Sequence, residues 1–169
     1  MMARILVIGS PGAGKSHFSR ALAAATGIPL YHIDMLYWDE NGGYCSRDEL
    51  VARLGPILEG DRWIIDGNFS ATFPLRLSYA TDVILLDYDF EVCEEGIRSR
   101  VGTPRADMPF VEGEVPTELI EAARRYRTHT LPKMLKAMEG HPRVKLLRFD
   151  TREKANDYLQ SIITGGSYV

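Results

Sequence analysis

Short runs of uninterrupted apolar residues alternate along this chain with longer segments of mixed composition. The runs are Arg4–Ile8, Leu30–Ile33, Arg62–Asp66, Val83–Asp87 and Val144–Phe149. They are rich in branched residues and lack the in–out alternation of a half-exposed strand, so they predict buried strands. Between them lie helix-like segments: Lys15–Ala25, closed by Gly27 and Pro29; a stretch opened by Ser46 and Glu49 as a capping box and ending near Glu59 and Gly60; Phe90–Val101; Thr117–Met138; and Thr151–Ile163. Pro132 is expected to bend or split the longest of these. Gly102–Val115 carries two prolines and two glycines and reads as a long mobile loop. Gly165-Gly166-Ser167 reads as a loose tail. Apolar strands alternating with helices argue for a parallel sheet covered on both faces, and right-handed crossovers make that a doubly wound α/β domain.

Composition narrows the class without changing it. At 169 residues one compact domain is expected, with 45% hydrophobic and 25% charged residues. A net charge of −3 carries no strongly basic footprint, so direct nucleic-acid binding is not expected. Cys45 and Cys93 stand far apart and form no C-x-x-C pair, which fits a reducing compartment and two inert thiols. The first apolar run is too short for a signal peptide, and no run could span a bilayer. The expectation is a cytoplasmic, soluble protein, monomeric or weakly dimeric.

The chemistry begins at Gly9-Ser10-Pro11-Gly12-Ala13-Gly14-Lys15-Ser16, a full match to G-x-x-x-x-G-K-[ST] that follows a strand and opens a helix. In such a loop, backbone N–H groups point inward and cradle phosphates. The glycines permit the close approach, and the helix start adds its positive dipole end. Lys15 is expected to reach the β- and γ-phosphates of ATP, and the Ser16 hydroxyl to ligate Mg²⁺. Gly9, Pro11, Gly12, Ala13 and Gly14, with His17 one residue beyond, complete the expected nucleotide contacts.

Three aspartates end or nearly end predicted strands: Asp34, Asp66 and Asp87. In an open parallel sheet that edge faces the ligand crevice, where a carboxylate can hold a metal or its water, orient a nucleophile or accept a proton. For Asp87 an ordinary capping role weighs equally, and Asp89 could cap the following helix as well.

These features resemble the P-loop kinases of the adenylate kinase type over most of the chain. The resemblance rests on the phosphate loop, Gly27-Ile28-Pro29, Asp34-Met35-Leu36, Asp66-Gly67 and Thr130-Leu131-Pro132. It is closer still to the small bacterial proteins labelled adenylate kinase-related or topology modulation protein (FlaR-like). The segments that carry this are His32–Trp38, Asp61–Asn68 and Arg105–Met108. It implies a three-layer P-loop fold with a five-stranded parallel sheet of order 2-3-1-4-5, and a lid near residues 102–115. It further implies that Asp66 positions a water of the metal and that Asp34 faces the phosphoryl acceptor. Two positions depart from adenylate kinases: Tyr37 and Ser70 stand where that family carries arginines that grip the acceptor's phosphate. The acceptor is therefore open.

Arginines spread around a transferring phosphoryl group stabilise its charge. Arg98, Arg100 and Arg105 flank the expected lid, with Gly102 and Gly113 as hinges. Arg98 and Arg105 are expected to act on the phosphoryl group, and Arg124 and Arg127 on the nucleotide. His17, His32, His129 and His141 show no metal-ligand spacing, and His32 reads as a hydrogen-bonded strand residue. Tyr37, Trp38 and Tyr44 form an aromatic patch that could stack a planar substrate. Thr151 and Arg152 follow the last strand, where the family's base-contacting loop lies.

The leading expectation is Mg-ATP-dependent phosphoryl transfer to a nucleotide or small-molecule acceptor. The alternatives are a nucleotide-dependent regulatory ATPase or a DNA topology modulator. A GTPase fits poorly: Asp39-Glu40-Asn41-Gly42 matches D-x-x-G, but no N-K-x-D motif exists.

Overall fold

A computed structural model describes residues 3–165, so Gly166 and Ser167 of the expected tail lie outside the described residues. Five parallel strands form one sheet: β1 (Ala3–Gly9), β2 (Leu30–His32), β3 (Arg62–Asp66), β4 (Asp82–Leu86) and β5 (Lys145–Phe149). Their spatial order is β2-β3-β1-β4-β5, as the family resemblance implies. In register, Val7 faces Asp66 and Gly9 faces Leu86, while His32 faces Asp66. The carboxyl ends of the inner strands therefore converge on the place where the chain leaves β1 as the phosphate loop.

The strands carry apolar residues throughout because each face meets a separate core. On one face Ile5, Val7, Ile64 and Ile84 pack with α1 (Lys15–Thr26), α5 (Phe90–Arg98), α6 (Thr117–Arg125) and α8 (Arg152–Ile163), through residues such as Leu22, Ile97, Ile120 and Leu159. On the other, Leu6, Ile8, Trp63, Ile65 and Val83 pack with α3 (Arg47–Leu58), α4 (Phe73–Tyr79) and α7 (Leu131–Glu139), through Leu50, Leu54, Phe73 and Met134. Successive strand residues point to opposite faces, so a run buried on both sides must be apolar at every position.

The capping box at Ser46 is present: its hydroxyl accepts from the Glu49 amide at 3.2 Å, and the Glu49 carboxylate accepts from the Ser46 amide at 2.8 Å. Thr151 caps α8 in the same way, accepting from the Lys154 amide at 3.3 Å. Two short helices, α2 (Ile33–Tyr37) and α4, were not expected from the pattern, being too short to show a period. β2 accordingly ends at His32, and Asp34 sits in the first turn of α2 rather than on a strand.

The long helix is split, but ahead of Pro132. A π-helical turn over Tyr126–Thr130 separates α6 from α7, with Pro132 in the first turn of α7, where a missing N–H is tolerated. Buried α6 residues belong to one core, whereas Tyr126, Leu131 and Met134 belong to the other. The wider turn is where this segment passes from one layer to the next.

Candidate functional site

The phosphate loop is built by close packing against α5. Gly12 has φ +80°, and a Cβ there would lie 1.9 Å from the Cys93 carbonyl oxygen. From the other side, a Cβ on Gly96 would lie 2.1 Å from the Gly12 carbonyl oxygen. Only hydrogen fits at either position, so the loop is seated on the helix backbone. Gly96→Ala is expected to push α5 off the loop, lowering both melting temperature and nucleotide affinity; thermal melts and a nucleotide titration would check both.

The start of α1 is left open. Its N-cap is Gly14, with no side-chain cap and no acid in the first turn, in contrast to α3 and α8. The first amides of α1 therefore remain available for an anion, and their dipole favours one.

Lys15 folds back over the loop and donates from Nζ to the carbonyls of Gly9 (3.1 Å) and Ser10 (3.0 Å). Burial pulls its ammonium below the ordinary lysine range, while Asp34 and Asp66 act in the opposite sense. Burial raises the Asp34 carboxyl above its usual range, against the pull of Lys15. Asp34 and Lys15 line one cavity of about 400 Å³, together with Gly12–Ser16 and His17.

Asp66 lies at the end of β3 and is buried. Its Oδ1 is 2.8 Å from His32 Nδ1, and its Oδ2 has no hydrogen-bond partner among the described residues. The next residue, Gly67, has φ +113°, and a Cβ there would lie 2.1 Å from Ile33 Cγ2, which is why a D-G pair follows this strand. Asn68 then reaches across to β1: its amide donates to the Gly9 carbonyl at 2.7 Å and its carbonyl accepts from the Gly9 amide at 3.1 Å. Arg76 holds that turn from below. It is fully buried, with no carboxylate within salt-bridge reach among the described residues, and donates to Thr72 Oγ1 and to the carbonyls of Gly67, Asn68 and Phe69. Burial pulls its guanidinium down to about 9.

The segment between α5 and α6 closes the cavity. Asp107, buried, accepts a hydrogen bond from Ser16 Oγ at 2.8 Å. Arg105 donates to Asp107 at 3.1 Å and to Glu112 at 3.3 Å, and Arg100 lies 3.4 Å from Glu112. Arg20, one turn beyond Ser16 on α1, is 3.8 Å from Asp107.

The expected arginines therefore divide. Arg100 and Arg105 line the cavity, as does Arg152, whereas Arg98, Arg124 and Arg127 are engaged elsewhere. Arg98 donates to Glu94 at 2.6 Å, one turn away on its own helix. Arg124 lies over the Phe90 ring at 4.4 Å. Arg127, in the π-helical turn, donates to Asp87 (2.9 Å) and Asp89 (2.8 Å). Asp87 also pairs with Arg148, and so is tied into an ion-pair network at the end of β4. Asp89 stands at the N-cap of α5 without a side-chain capping bond, because its carboxylate goes to Arg127. Sequence reasoning missed Arg20, Asp107 and Asn68 as site residues. For Arg20 a signal existed, since it lies four residues from Ser16 on one helix face.

The aromatic patch packs on itself. Tyr37 stacks on Tyr44 at 5.5 Å and meets Phe69 at 4.5 Å, while Trp38 meets Phe110 of the closing segment edge-on at 5.9 Å.

The donors around Ser16 suit magnesium. The hydroxyl and the carboxylates of Asp66, Asp34 and Asp107 are hard oxygens, and the orphaned Asp66 Oδ2 is a buried acceptor in need of a partner. No group of three His, Cys, Asp or Glu forms a metal cage among the described residues. Magnesium carried by phosphates and waters needs only one or two protein oxygens.

No protein-family profile and no curated protein sequence matches the chain. Solved structures do. The shikimate kinase of Bacteroides thetaiotaomicron superposes with a TM-score of 0.64 at 16% identity, covering 96% of this chain and 97% of that one. The shikimate kinase of Acinetobacter baumannii, in complex with shikimate, gives 0.61 at 15% identity, over 99% and 96%. A gluconokinase of Sinorhizobium meliloti 1021 gives 0.55 at 17% identity, over 96% and 90%. At these identities the likeness establishes the fold, a three-layer α/β phosphate-loop architecture that small-molecule kinases share with this chain.

Proposed function

We propose that the protein transfers the γ-phosphoryl group of Mg-ATP to a hydroxyl or phosphate of a small acceptor. The observation that carries this reading is one cavity that the open phosphate loop, Lys15 and Ser16 share with a carboxylate from the first turn of α2, Asp34. A regulatory nucleotide switch needs no such carboxylate across from the phosphates, and fold neighbours that act on small hydroxylated molecules favour the kinase reading.

The loop amides and the α1 start hold the β- and γ-phosphates. Lys15 leaves the Gly9 and Ser10 carbonyls and swings onto the phosphate oxygens, where its charge offsets that of the transferring group. Ser16 and Asp66 would hold the magnesium ion, which when bound would offset the negative charge of the phosphates. Asp34 orients the acceptor hydroxyl and takes its proton; burial has already raised its proton affinity toward that task. Residues 99–116, the connection between α5 and α6, act as a lid that excludes water. In it Arg105 and Arg100 are held by Glu112 and Asp107, ready to exchange those carboxylates for phosphate oxygens. Arg98, Arg124 and Arg127 reach phosphate only if they leave their present partners.

The test is ADP release from Mg-ATP against small hydroxy acids, sugars and nucleoside monophosphates. Acceptor-dependent turnover supports the reading. Slow hydrolysis indifferent to every acceptor counts against it and favours a regulatory ATPase.

Asp34→Asn is expected to cut acceptor turnover by roughly 10²–10⁴-fold, the usual contribution of a general base, with ATP affinity little changed. It should also stabilise the protein at neutral pH. Folded Asp34 keeps its proton to higher pH than unfolded Asp34, so between the two pKa values the native state binds more protons. Stability then falls as pH rises through that window, and the cost is fully present only above the folded value. Melts of both proteins should differ at pH 7 and converge below the ordinary aspartate range.

A further inference from the structure

Asp107 sits in the phosphate site without a role in the reading above. It is 5% exposed, on the segment between α5 and α6, and it touches the hydroxyl that reading assigns to magnesium. Its carboxylate also lies 3.1 Å from Arg105 Nη1 and 3.8 Å from Arg20 Nη1. An anion fixed at the mouth of a phosphate cradle repels the triphosphate unless a cation stands between them. Asp34 and Asp66 add to the same negative field, and Asp66 Oδ2 has no donor among the described residues.

The spacing answers the repulsion. In an octahedral magnesium shell with bonds of about 2.0–2.1 Å, neighbouring ligand oxygens stand roughly 2.9 Å apart. Ser16 Oγ and Asp107 Oδ2 are 2.8 Å apart. A separation of that size is compatible with both oxygens binding one ion.

We propose that Asp107 is a magnesium ligand carried by the α5–α6 segment, beside Ser16, so that binding of the metal–nucleotide complex and docking of that segment form one equilibrium. The inference rests on the Mg-ATP reading of the phosphate loop. It makes the segment a sensor of the metal: Mg-nucleotide draws it down through Asp107, and metal-free nucleotide drives it away. Arg105 and Arg20, which now neutralise Asp107, are freed toward phosphate when the ion takes over that task.

The test is calorimetric binding of AMP-PNP, a non-hydrolysable ATP analogue, in excess Mg²⁺ and in EDTA. The ratio of the two affinities measures the metal coupling. Asp107→Asn, nearly isosteric, is expected to lower that ratio at least tenfold, weakening binding in Mg²⁺ and strengthening it in EDTA. An unchanged ratio overturns the proposal. So does equally tighter binding in both media, which would make Asp107 a simple latch over the loop. If the wild-type protein binds AMP-PNP in neither medium, the phosphate-loop reading itself falls, an outcome distinct from the other two. Asp107→Cys provides the second arm: a thiolate prefers soft metals, so Cd²⁺ should restore tight AMP-PNP binding to it where Mg²⁺ does not. Identical metal preference in wild type and Asp107→Cys rules out direct ligation.

Discussion

Lys15→Ala is expected to lower ATP turnover by about 10³-fold or more, the scale of losing a positioned charge at a developing phosphoryl anion, while the folded protein melts no lower than the wild type. The two halves of that result have separate causes. Turnover is lost because Lys15 is the cation that folds back over the loop itself, on the Gly9 and Ser10 carbonyls. Stability is kept because the lysine bonds only to the carbonyls of its own loop, Gly9 and Ser10. Its charge is moreover held against the cost of burial. Unfolded Lys15 binds its proton to higher pH than folded Lys15, so stability rises with pH between the two values and the cost is fully present below the folded value. Alanine removes it. The melting temperature of Lys15→Ala should equal or exceed the wild type at pH 7, and the gap should narrow as pH approaches the ordinary lysine range. Retained turnover in this variant would sink the kinase reading. A collapse of the fold would mean that the lysine is structural.

The second large effect is expected at Arg76, far from any phosphate. Arg76→Ala should cost about 3–5 kcal/mol, the scale of truncating a large buried side chain and leaving buried carbonyl oxygens without donors, and lower the melting temperature by roughly 10 °C for a chain of this size. The guanidinium is fully buried and serves the carbonyls of Gly67, Asn68 and Phe69 at once. Truncation leaves those oxygens without donors and opens a cavity beside Phe73. Phe69 adopts φ 23°, rare among non-glycine residues, and only a fully bonded turn holds it there. Because Asn68 in that turn clamps Gly9, the variant should also lose nucleotide affinity, although residue 76 touches no ligand. Arg76→Met, which fills the space but donates nothing, separates packing from hydrogen bonding. Chemical denaturation of both variants, with nucleotide titration, would check the claim.

Much of the site was legible before any coordinates. The phosphate loop is contiguous, and its spacing is the chemistry: glycines where phosphate must approach, lysine and serine at the start of a helix. The strand-end rule located Asp66 at the end of β3, but put Asp34 at the end of a strand when it lies two residues past β2, in the first turn of α2, since that short helix has no period to read. The arginines were harder. Arg98, Arg124 and Arg127 share charge and neighbourhood with Arg100 and Arg105, and nothing local distinguishes them. Their partners do: Glu94 for Arg98, the Phe90 ring for Arg124, Asp87 and Asp89 for Arg127. The last of these lies about forty residues away in the chain.

The sequence by itself determined the fold class, the strand order through its resemblance, the phosphate loop and the capped helices. Each is written in short-range terms: periodicity, a cap three residues from its partner, glycines at set offsets. Tertiary structure alone decided which distant groups meet around the phosphate loop. Asp107 meets Ser16 across ninety-one residues, and Asn68 meets Gly9 across fifty-nine. Such pairs leave no periodic trace, because they depend on where crossovers set down the ends of parallel strands. Charge and burial then act on whatever has been brought together. That is why Arg76, ordinary in a sequence window, proves to be a buried clamp, and why Asp107, one acid in a proline-rich loop, comes to rest on the hydroxyl of the phosphate site.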